Sequence, residues 1–421
     1  MKATVSAPES WKRVIEVEIP VEEVTAAFEE KLTKYKKEIK MPGFRPGKIP
    51  VALIKQRFGA SIRGEAIDEL VQKSFKDACE QNQVTPVAPA KVKEVKADKE
   101  DEPVSFVIET EVDPPVDIKG YEKLKVKASP KKIKDSDVED AIKGLQERFA
   151  EFTTVERESR KGDYVKFEYV KVVIDGTERT DIQNPNYPVE IGGDSKIKDF
   201  DKGLTGRLAG ETVEIDINFP NDYSEADIAG KSAQFTVKIT AVQEKKLPEV
   251  NEEFMKKIGN FTDIDAFRVN VKENIEREET TRAKNEAHNE AIEKIAADNP
   301  FDVPPARVEQ FIDYMYHEST RYNRPGQPVP SREEVAAHYH ETAIKNIKRQ
   351  RIIDFIATKE NIKATQEEVD REVQRLADMY NQPFETLKQS LRQNGTTNRI
   401  RDDIKEQKTL DFLIGEYTPQ A

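Results

Sequence analysis

Trp11, Arg13, Ile15, Val17 and Ile19 fall at every second position, and Glu16 and Glu18 alternate with the last three. That is the period of a half-buried strand, and Pro20 ends it. Val24, Phe28, Leu32, Tyr35 and Ile39 then recur at three- and four-residue spacing, which predicts a helix with one buried stripe. Pro50 suits the first turn of a new helix through Leu53, Ile54 and Phe58, which the spacing predicts to stop at Gly59. A further helix carries Ile62, Ala66, Leu70, Phe75 and Ala78. Strands are predicted over Lys91–Lys96 and Val104–Val112, and Asp113-Pro114-Pro115 closes a compact α+β domain. From Gly120 to Phe152 the pattern predicts a strand and a charged helix (Val138, Ile142, Leu145, Phe149) serving as a connector.

The periodicity then changes to short strands and turns. Tyr164–Ile174, the Asp175-Gly176 turn, Tyr187–Ile191, Thr212–Phe219 and Gln234–Val242 predict a small antiparallel sheet. Between them, Ile197, Phe200 and Leu204 share one face of a short helix. Beyond Pro248 the chain reads as helical. A long helix is expected from about Ile264 to Ala297, and its nearly all-polar middle, Glu276–Glu290, cannot be buried all round. Core stripes follow at Phe311, Ile312 and Met315, and at Ile344, Ile347, Ile352, Ile353 and Phe355. Ser331-Arg332-Glu333-Glu334 and Thr365-Gln366-Glu367-Glu368 are capping-box starts.

Composition narrows the class. A chain of 421 residues suggests roughly three domains. Apolar residues (36%) barely outnumber charged ones (35%), too polar a balance for one compact globule. The single cysteine, Cys79, fits a reducing compartment and reads as a packed small residue. Met1–Ser6 lacks a signal-peptide core and no segment approaches the ~20 apolar residues of a membrane span, so a cytoplasmic chain without a membrane partner is expected. His338, His340 and Glu341 do not converge, because an i, i+2 pair diverges on a helix; no metal and no cofactor are expected.

Candidate chemistry begins at Met41-Pro42-Gly43-Phe44-Arg45-Pro46-Gly47-Lys48-Ile49-Pro50. The glycines open backbone conformations closed to other residues and the prolines fix φ, so a short stiff loop should hold Phe44 and Arg45 in solvent. A bare Phe at a loop tip gains nothing for folding and points to a partner surface. From Lys31 to Arg63 ten basic residues face one acid, Glu38, in a chain of net charge −12. This reads as a footprint for something negative, RNA foremost, or as the solvated face of a connector between two helices.

Gly43-Phe44-Arg45-x-Gly47-x-x-Pro50 resembles the ribosome-binding signature of the trigger factor family of bacterial chaperones, and the later segments match that family's order end to end. The resemblance implies that Gly43, Phe44, Arg45, Pro46, Gly47, Lys48 and Pro50 form a docking loop for ribosomal protein and RNA near the nascent-chain exit. Pro46 departs from the lysine frequent there. The middle segment resembles FK506-binding-protein (FKBP) type peptidyl-prolyl isomerases, which implies a prolyl pocket of Tyr169, Tyr187, Ile197, Phe200, Tyr223, Ile228 and Phe235. Such a site needs no acid, base or metal. It lowers a barrier of ~18–20 kcal/mol by favouring the twisted, less polar amide. Arg179 stands where the family has an aromatic, and Lys196 replaces an aliphatic residue, which implies weak or lost activity.

The implied fold is multidomain α+β: a ribosome-binding α+β domain (1–115), a connector (116–150), an FKBP-like antiparallel β domain with a short helix (151–245) and an all-α cradle (246–421). The implied function is an ATP-independent ribosome-associated chaperone for unfolded nascent polypeptides, with room for a homodimer off the ribosome. A dedicated prolyl isomerase and a basic-patch RNA-binding protein are the rival readings.

Overall fold

The computed structural model describes residues 2–39, 41, 42, 44, 48–97, 102–179, 188–193, 198–220, 228–321 and 329–417. Two compact units divide the chain: Met1–Ser129 with Lys284–Ala421, and Pro130–Ala283.

In the first, β1 (Lys2–Glu9) and β2 (Lys12–Ile19) form a hairpin, followed by α1 (Val21–Glu38), α2 (Val51–Gln81), β3 (Lys91–Lys96) and β4 (Val104–Glu111). The sheet is antiparallel with order β1-β2-β4-β3. Ile15, Val17 and Ile19 stand opposite Ile108, Phe106 and Val104. With Ile67, Val71, Ala78 and Cys79 of α2 they make one core, and burial pushes the Cys79 thiol pKa up. β1 is an element the sequence pattern missed. It is an edge strand that half-buries only Ala3 and Val5, and it tolerates Pro8 because its outer side needs no ladder hydrogen bond.

The predicted break at Gly59 is absent, and α2 is one helix of 31 residues. A Cβ at Gly59 or Gly64 would meet no atom within 4 Å, so neither glycine serves a close approach. An interior glycine costs about 1 kcal/mol against alanine. Burial of Ile54 and Ile62, then of Ala66 and Ile67, outweighs that cost.

A second departure lies at 116–128. In place of a strand, the chain there has no regular structure except for one 3-10 turn at Tyr121–Lys123. Its apolar alternation is used on helices, not on a ladder: Ile118, Tyr121 and Val126 are buried among the helices described below.

The second unit holds α3 (Asp135–Arg148), β5 (Glu151–Thr154), β6 (Asp163–Ile174), β7 (Thr177–Glu178), β8 (Val189–Glu190), α4 (Lys198–Leu204), β9 (Thr212–Asn218), β10 (Ser232–Lys246) and α5 (Glu252–Gly259). Its antiparallel sheet runs β5-β10-β6-β7, with β8 on β6 and β9 on β10. All buried members of its core lie between Val165 and Val242, so the β domain closes on itself. A separate small core joins Val138 and Ile142 of α3 to Phe254 and Met255 of α5 and to Phe267 and Val271 of α6 (Ile264–Asp298).

α6 continues into the first unit, where α7 (Pro305–Arg321), α8 (Arg332–Lys359), α9 (Gln366–Met379), α10 (Phe384–Gln393) and α11 (Thr396–Leu413) follow. Both predicted capping boxes are present, at Ser331/Glu334 and Thr365/Glu368. The polar middle of α6 is less exposed than its composition suggests. Ala283, Ala287 and His288 are buried, a stripe of small side chains that a search for large hydrophobes passes over. His288 Nε2 lies 3.0 Å from Asp411 Oδ1 of α11. Ala287, Ala291, Ile292 and Ile295 of α6 join Ile352, Ile353 and Ile356 of α8 and Leu410 and Leu413 of α11, with the 116–128 strap completing the core. Among the described residues no helix is long and apolar enough to cross a membrane, and no group of three or more His, Cys, Asp or Glu is placed to hold a metal.

Candidate functional site: an aromatic pocket and an exposed loop

The aromatic cluster of the β domain takes its shape from an interruption in strand register. β6 pairs with β10 so that Tyr169 faces Val237 but Lys171 faces Thr236, leaving Val170 as an extra residue, 61% exposed. This bulge inverts the alternation. Phe167 and Tyr169 face inward before it, and Val172 and Ile174 after it. The strand then turns at Asp175 (φ 46°) and Gly176 (φ 76°), the positive pair that a two-residue hairpin of the right twist requires.

Aromatic rings gather on the inward face. Tyr169 and Phe235 have centroids 5.3 Å apart, Phe167 and Phe200 5.1 Å, and Phe200 and Phe235 5.7 Å. Phe200 arrives from α4, which lies flat on β9 because Gly203 has no side chain; a Cβ there would come within 2.7 Å of Ile215. Ser159 holds the end of this helix, donating to Leu204 O at 2.5 Å and accepting from Arg207 N at 3.0 Å. Asp201 is 8% exposed, and burial pushes its pKa up. Behind the sheet, Arg157 donates to both carboxylate oxygens of Asp163, at 2.6 and 3.1 Å, and to Glu244. Burial opposes ionisation of Asp163; Arg157 and the Arg160 amide outweigh it and hold the carboxyl below its usual range. Tyr164, desolvated and bonded to Glu190, has its pKa pushed up to about 12.

Of the predicted pocket residues, Tyr169, Phe200, Ile228 and Phe235 come together in this core. Tyr187, Ile197, Tyr223 and Lys196 lie outside the described residues. Phe167 and Phe219 were missed, although Phe219 sits 6.5 Å from Phe235. The alternation Val165, Phe167, Tyr169 was the available signal for the former. Arg179 is half-buried, and its amide donates to Val172 O at 2.9 Å.

The loop between α1 and α2 is seated from both ends. Met41 and Ile49 are buried with Leu32, Ile54 and Ile62 in a small core of their own, while Phe44 between them is 41% exposed. Lys48 and Pro50 are exposed; Gly43, Arg45, Pro46 and Gly47 lie outside the described residues. The basic patch is partly neutralised by acids just beyond its ends. Lys31 pairs with Glu69 (3.2 Å), Lys34 with Glu30 (2.8 Å) and Lys55 with Glu29 (2.7 Å). Lys36, Lys37, Lys48 and Arg57 have no ion pair among the described residues.

A twisted antiparallel sheet wrapped on one short helix, with aromatics converging between them, is the architecture of an FKBP-type module, and residues 155–240 match the family described as FKBP-type peptidyl-prolyl cis-trans isomerase. The flanking segments match bacterial trigger factor protein (residues 1–145) and the bacterial trigger factor C-terminus (residues 263–415). A trigger factor of Caldicellulosiruptor bescii is 31% identical over 414 residues, covering 96% of this chain and 93% of the relative. One of Marinobacter nauticus is 29% identical over 416 residues, covering 99% and 95%. A solved structure titled "Promiscuous Substrate Recognition in Folding and Assembly Activities of the Trigger Factor Chaperone" shares the fold with TM-score 0.54 at 21% identity, over 99% of this chain and 100% of that one. The chain belongs to the trigger factor family.

Proposed function

We propose that this protein is a ribosome-associated chaperone carrying an FKBP-type peptidyl-prolyl isomerase domain. The observation that carries the reading is the succession of the three family modules along a single chain, matched over nearly its whole length by trigger factors. In this reading Phe44 and Arg45 dock on ribosomal protein at the exit, and Lys36, Lys37, Lys48 and Arg57 contact ribosomal RNA. The segment over 151–245 acts on prolyl bonds. The helices over 246–421 hold unfolded chains through many weak apolar contacts in the cytoplasm, without ATP.

The test is co-sedimentation of the full chain with ribosomes across a salt series. Counterion release gives a slope of about −0.9 per phosphate neutralised. With Lys36, Lys37, Lys48 and Arg57 each neutralising one phosphate, the expected slope is about −4, not the steeper value that ten free cations would produce. Absence from the ribosome pellet at low salt overturns the reading. A salt-independent affinity reduces the basic patch to a solvated face.

The self-contained core of the β domain supports cutting it out as a fragment, Glu151–Lys246. This fragment is expected to fold and to isomerise a leucyl-prolyl peptide slowly, because Arg179 and Lys196 stand where the family has an aromatic and an aliphatic residue, in a site that favours an apolar amide. Arg179→Phe with Lys196→Val should raise that rate about tenfold, equivalent to 1.36 kcal/mol of barrier. A wild-type rate matching that of a dedicated isomerase, with no gain in the double variant, would mean that the pocket is assigned to the wrong residues.

A further inference from the structure

We infer that the first turn of α7 is capped by a carboxylate of the N-terminal sheet domain, so that docking of that domain and order in α7 are coupled. The inference needs no assumption about ribosomes or prolyl bonds. A helix leaves its first N–H groups without partners, and a Ser, Thr, Asp or Asn just before it ordinarily accepts from one of them. α8 and α9 supply such caps from their own sequence, at Ser331 and Thr365. α7 cannot. It starts at Pro305, the residue before it is Pro304, which has no side-chain acceptor, and its first turn holds no acid. The acceptor comes instead from 195 residues away in the chain, where Glu111 Oε2 takes a 2.7 Å bond from the Ala306 amide. Glu111 is the last residue of β4, and its carbonyl accepts from the Val87 amide at 2.9 Å, which fixes it to the sheet domain.

A second carboxylate, two residues on, grips the same turn. Arg307 donates to Asp113 Oδ1 at 3.3 Å and to Oδ2 at 2.8 Å. Arg351 of α8 lies 3.7 Å from that Oδ2 and donates to Pro114 O at 2.6 Å. Ser10 donates to Asp302 Oδ2 at 2.6 Å, and Gln310 to Val87 O at 2.8 Å, on either side of this pair. The joint lacks a shared apolar cluster. The sheet's core contains no residue beyond Ile108, and the cores of the helices begin in sequence at Val116 and Val303. Half-exposed ion pairs and hydrogen bonds part with far less loss than a packed core, and polar contacts between domains of one chain are the ones that move. Parting this joint returns the Ala306 N–H to water and takes a negative charge from the positive end of the helix. Val308, two residues further on, is already in the core that joins α7 to α8, so fraying of the first turn reaches that core. The coupling is reciprocal: what loosens the start of α7 weakens docking by the same factor.

The experiment uses the full chain with spin labels at two exposed positions, Lys76 of α2 and Lys345 of α8, in a Cys79→Ala background. Electron–electron resonance distances read docking, and hydrogen exchange of the peptide holding Ala306, Arg307 and Val308 reads the start of the helix. The unsubstituted joint should give one narrow distance distribution. Glu111→Ala should broaden it and speed exchange about fivefold, the weight of one helix cap. Glu111→Gln keeps an acceptor and should retain part of the protection. Asp113→Asn leaves the Ala306 acceptor in place, and should still produce both changes, more weakly, because it loosens docking. Ala306→Pro removes the same N–H from the helical side, in a first turn that tolerates proline, and should broaden the distances alike. Glu109→Gln, whose partners Lys12 and Lys93 belong to the sheet itself, should change neither reading. Faster exchange in Glu111→Ala with every distance still narrow overturns the coupling and leaves a local cap. Unchanged exchange in Glu111→Ala, or a broad distribution before any substitution, overturns the inference outright. If Glu111→Ala unfolds the sheet, the distances in Ala306→Pro decide.

Discussion

Phe44→Ala combined with Arg45→Ala abolishes ribosome co-sedimentation at physiological salt and leaves the melting transition within about 0.5 kcal/mol of wild type, as expected with Phe44 41% exposed. The loop is held by Met41 and Ile49, which are buried in the core between α1 and α2, and not by the side chain at its tip. Removing Phe44 therefore takes away a ring that this small core does not include. Aromatic and arginine anchors at interfaces commonly carry 2 kcal/mol or more each, so even non-additive loss amounts to about a hundredfold in affinity. Lys36, Lys37, Lys48 and Arg57, which have no ion pair among the described residues, contribute long-range attraction, which salt weakens, and cannot substitute for a plug. Met41→Ala separates the two roles. It empties part of the loop's seat and should cost about 2–5 kcal/mol in stability along with binding. A double variant that still pellets with ribosomes sinks the docking assignment.

Tyr121→Ala destabilises the helical body by about 3–5 kcal/mol, the cost of emptying an aromatic site in a packed core. Tyr121 is 2% exposed. Its ring meets Phe412 of α11 at 6.5 Å and lies under Lys359 of α8 at 5.0 Å, and its hydroxyl donates to Glu360 at 2.5 Å. Burial first, and the Glu360 carboxylate second, push its pKa far above the ordinary phenol value. Tyr121→Phe keeps the packing and loses one hydrogen bond to a charged group, about 1.5–3 kcal/mol. Denaturant titration of the full chain, followed by a probe on α11, should show the body's transition moving while that of the β domain stays. If Tyr121→Ala moves it by less than about 1 kcal/mol, the strap is a passenger on the helices. A positive result also means that a fragment beginning near residue 246 lacks part of its own core.

Much of this was legible in the chain. Alternation placed β2, β4 and β6 because buried and more exposed positions alternate along most of each, and period-3.6 stripes placed α1 and α3 because each buries a single face of large side chains. Capping boxes marked the starts of α8 and α9 because their chemistry is local. The misreadings share a cause, which is that a local rule was overruled by distant partners. Gly59 is a helix breaker only where nothing flanking it is anchored. Leu124 and Val126 alternate like a strand but meet α-helices. The cations between Lys31 and Arg63 looked unopposed because Glu29, Glu30, Glu65 and Glu69 lie outside that window: Glu30 meets Lys34 one turn away on α1, and the others are brought alongside by the packing of α1 on α2. In the pocket, Tyr169, Phe200 and Phe235 were within reach of sequence reading. The bulge at Val170, which decides where each of them faces, was not, because a one-residue register shift leaves no mark in composition.

The unbroken α2 gives the N-terminal domain a mechanical character. At 1.5 Å per residue its 31 residues make a rod about 45 Å long. One end, through Ile54 and Ile62, is clamped in the core that seats the Phe44 loop, and the other, through Ile67, Val71 and Ala78, is clamped in the core of the sheet. Two helices hinged at Gly59 would let the tip reorient on contact while the sheet stayed still. A single rod works as a lever instead. A tilt imposed at the loop is delivered to the sheet with its displacement multiplied by the length of the arm, and the glycine at 64, between the two clamps, is where such a beam flexes first.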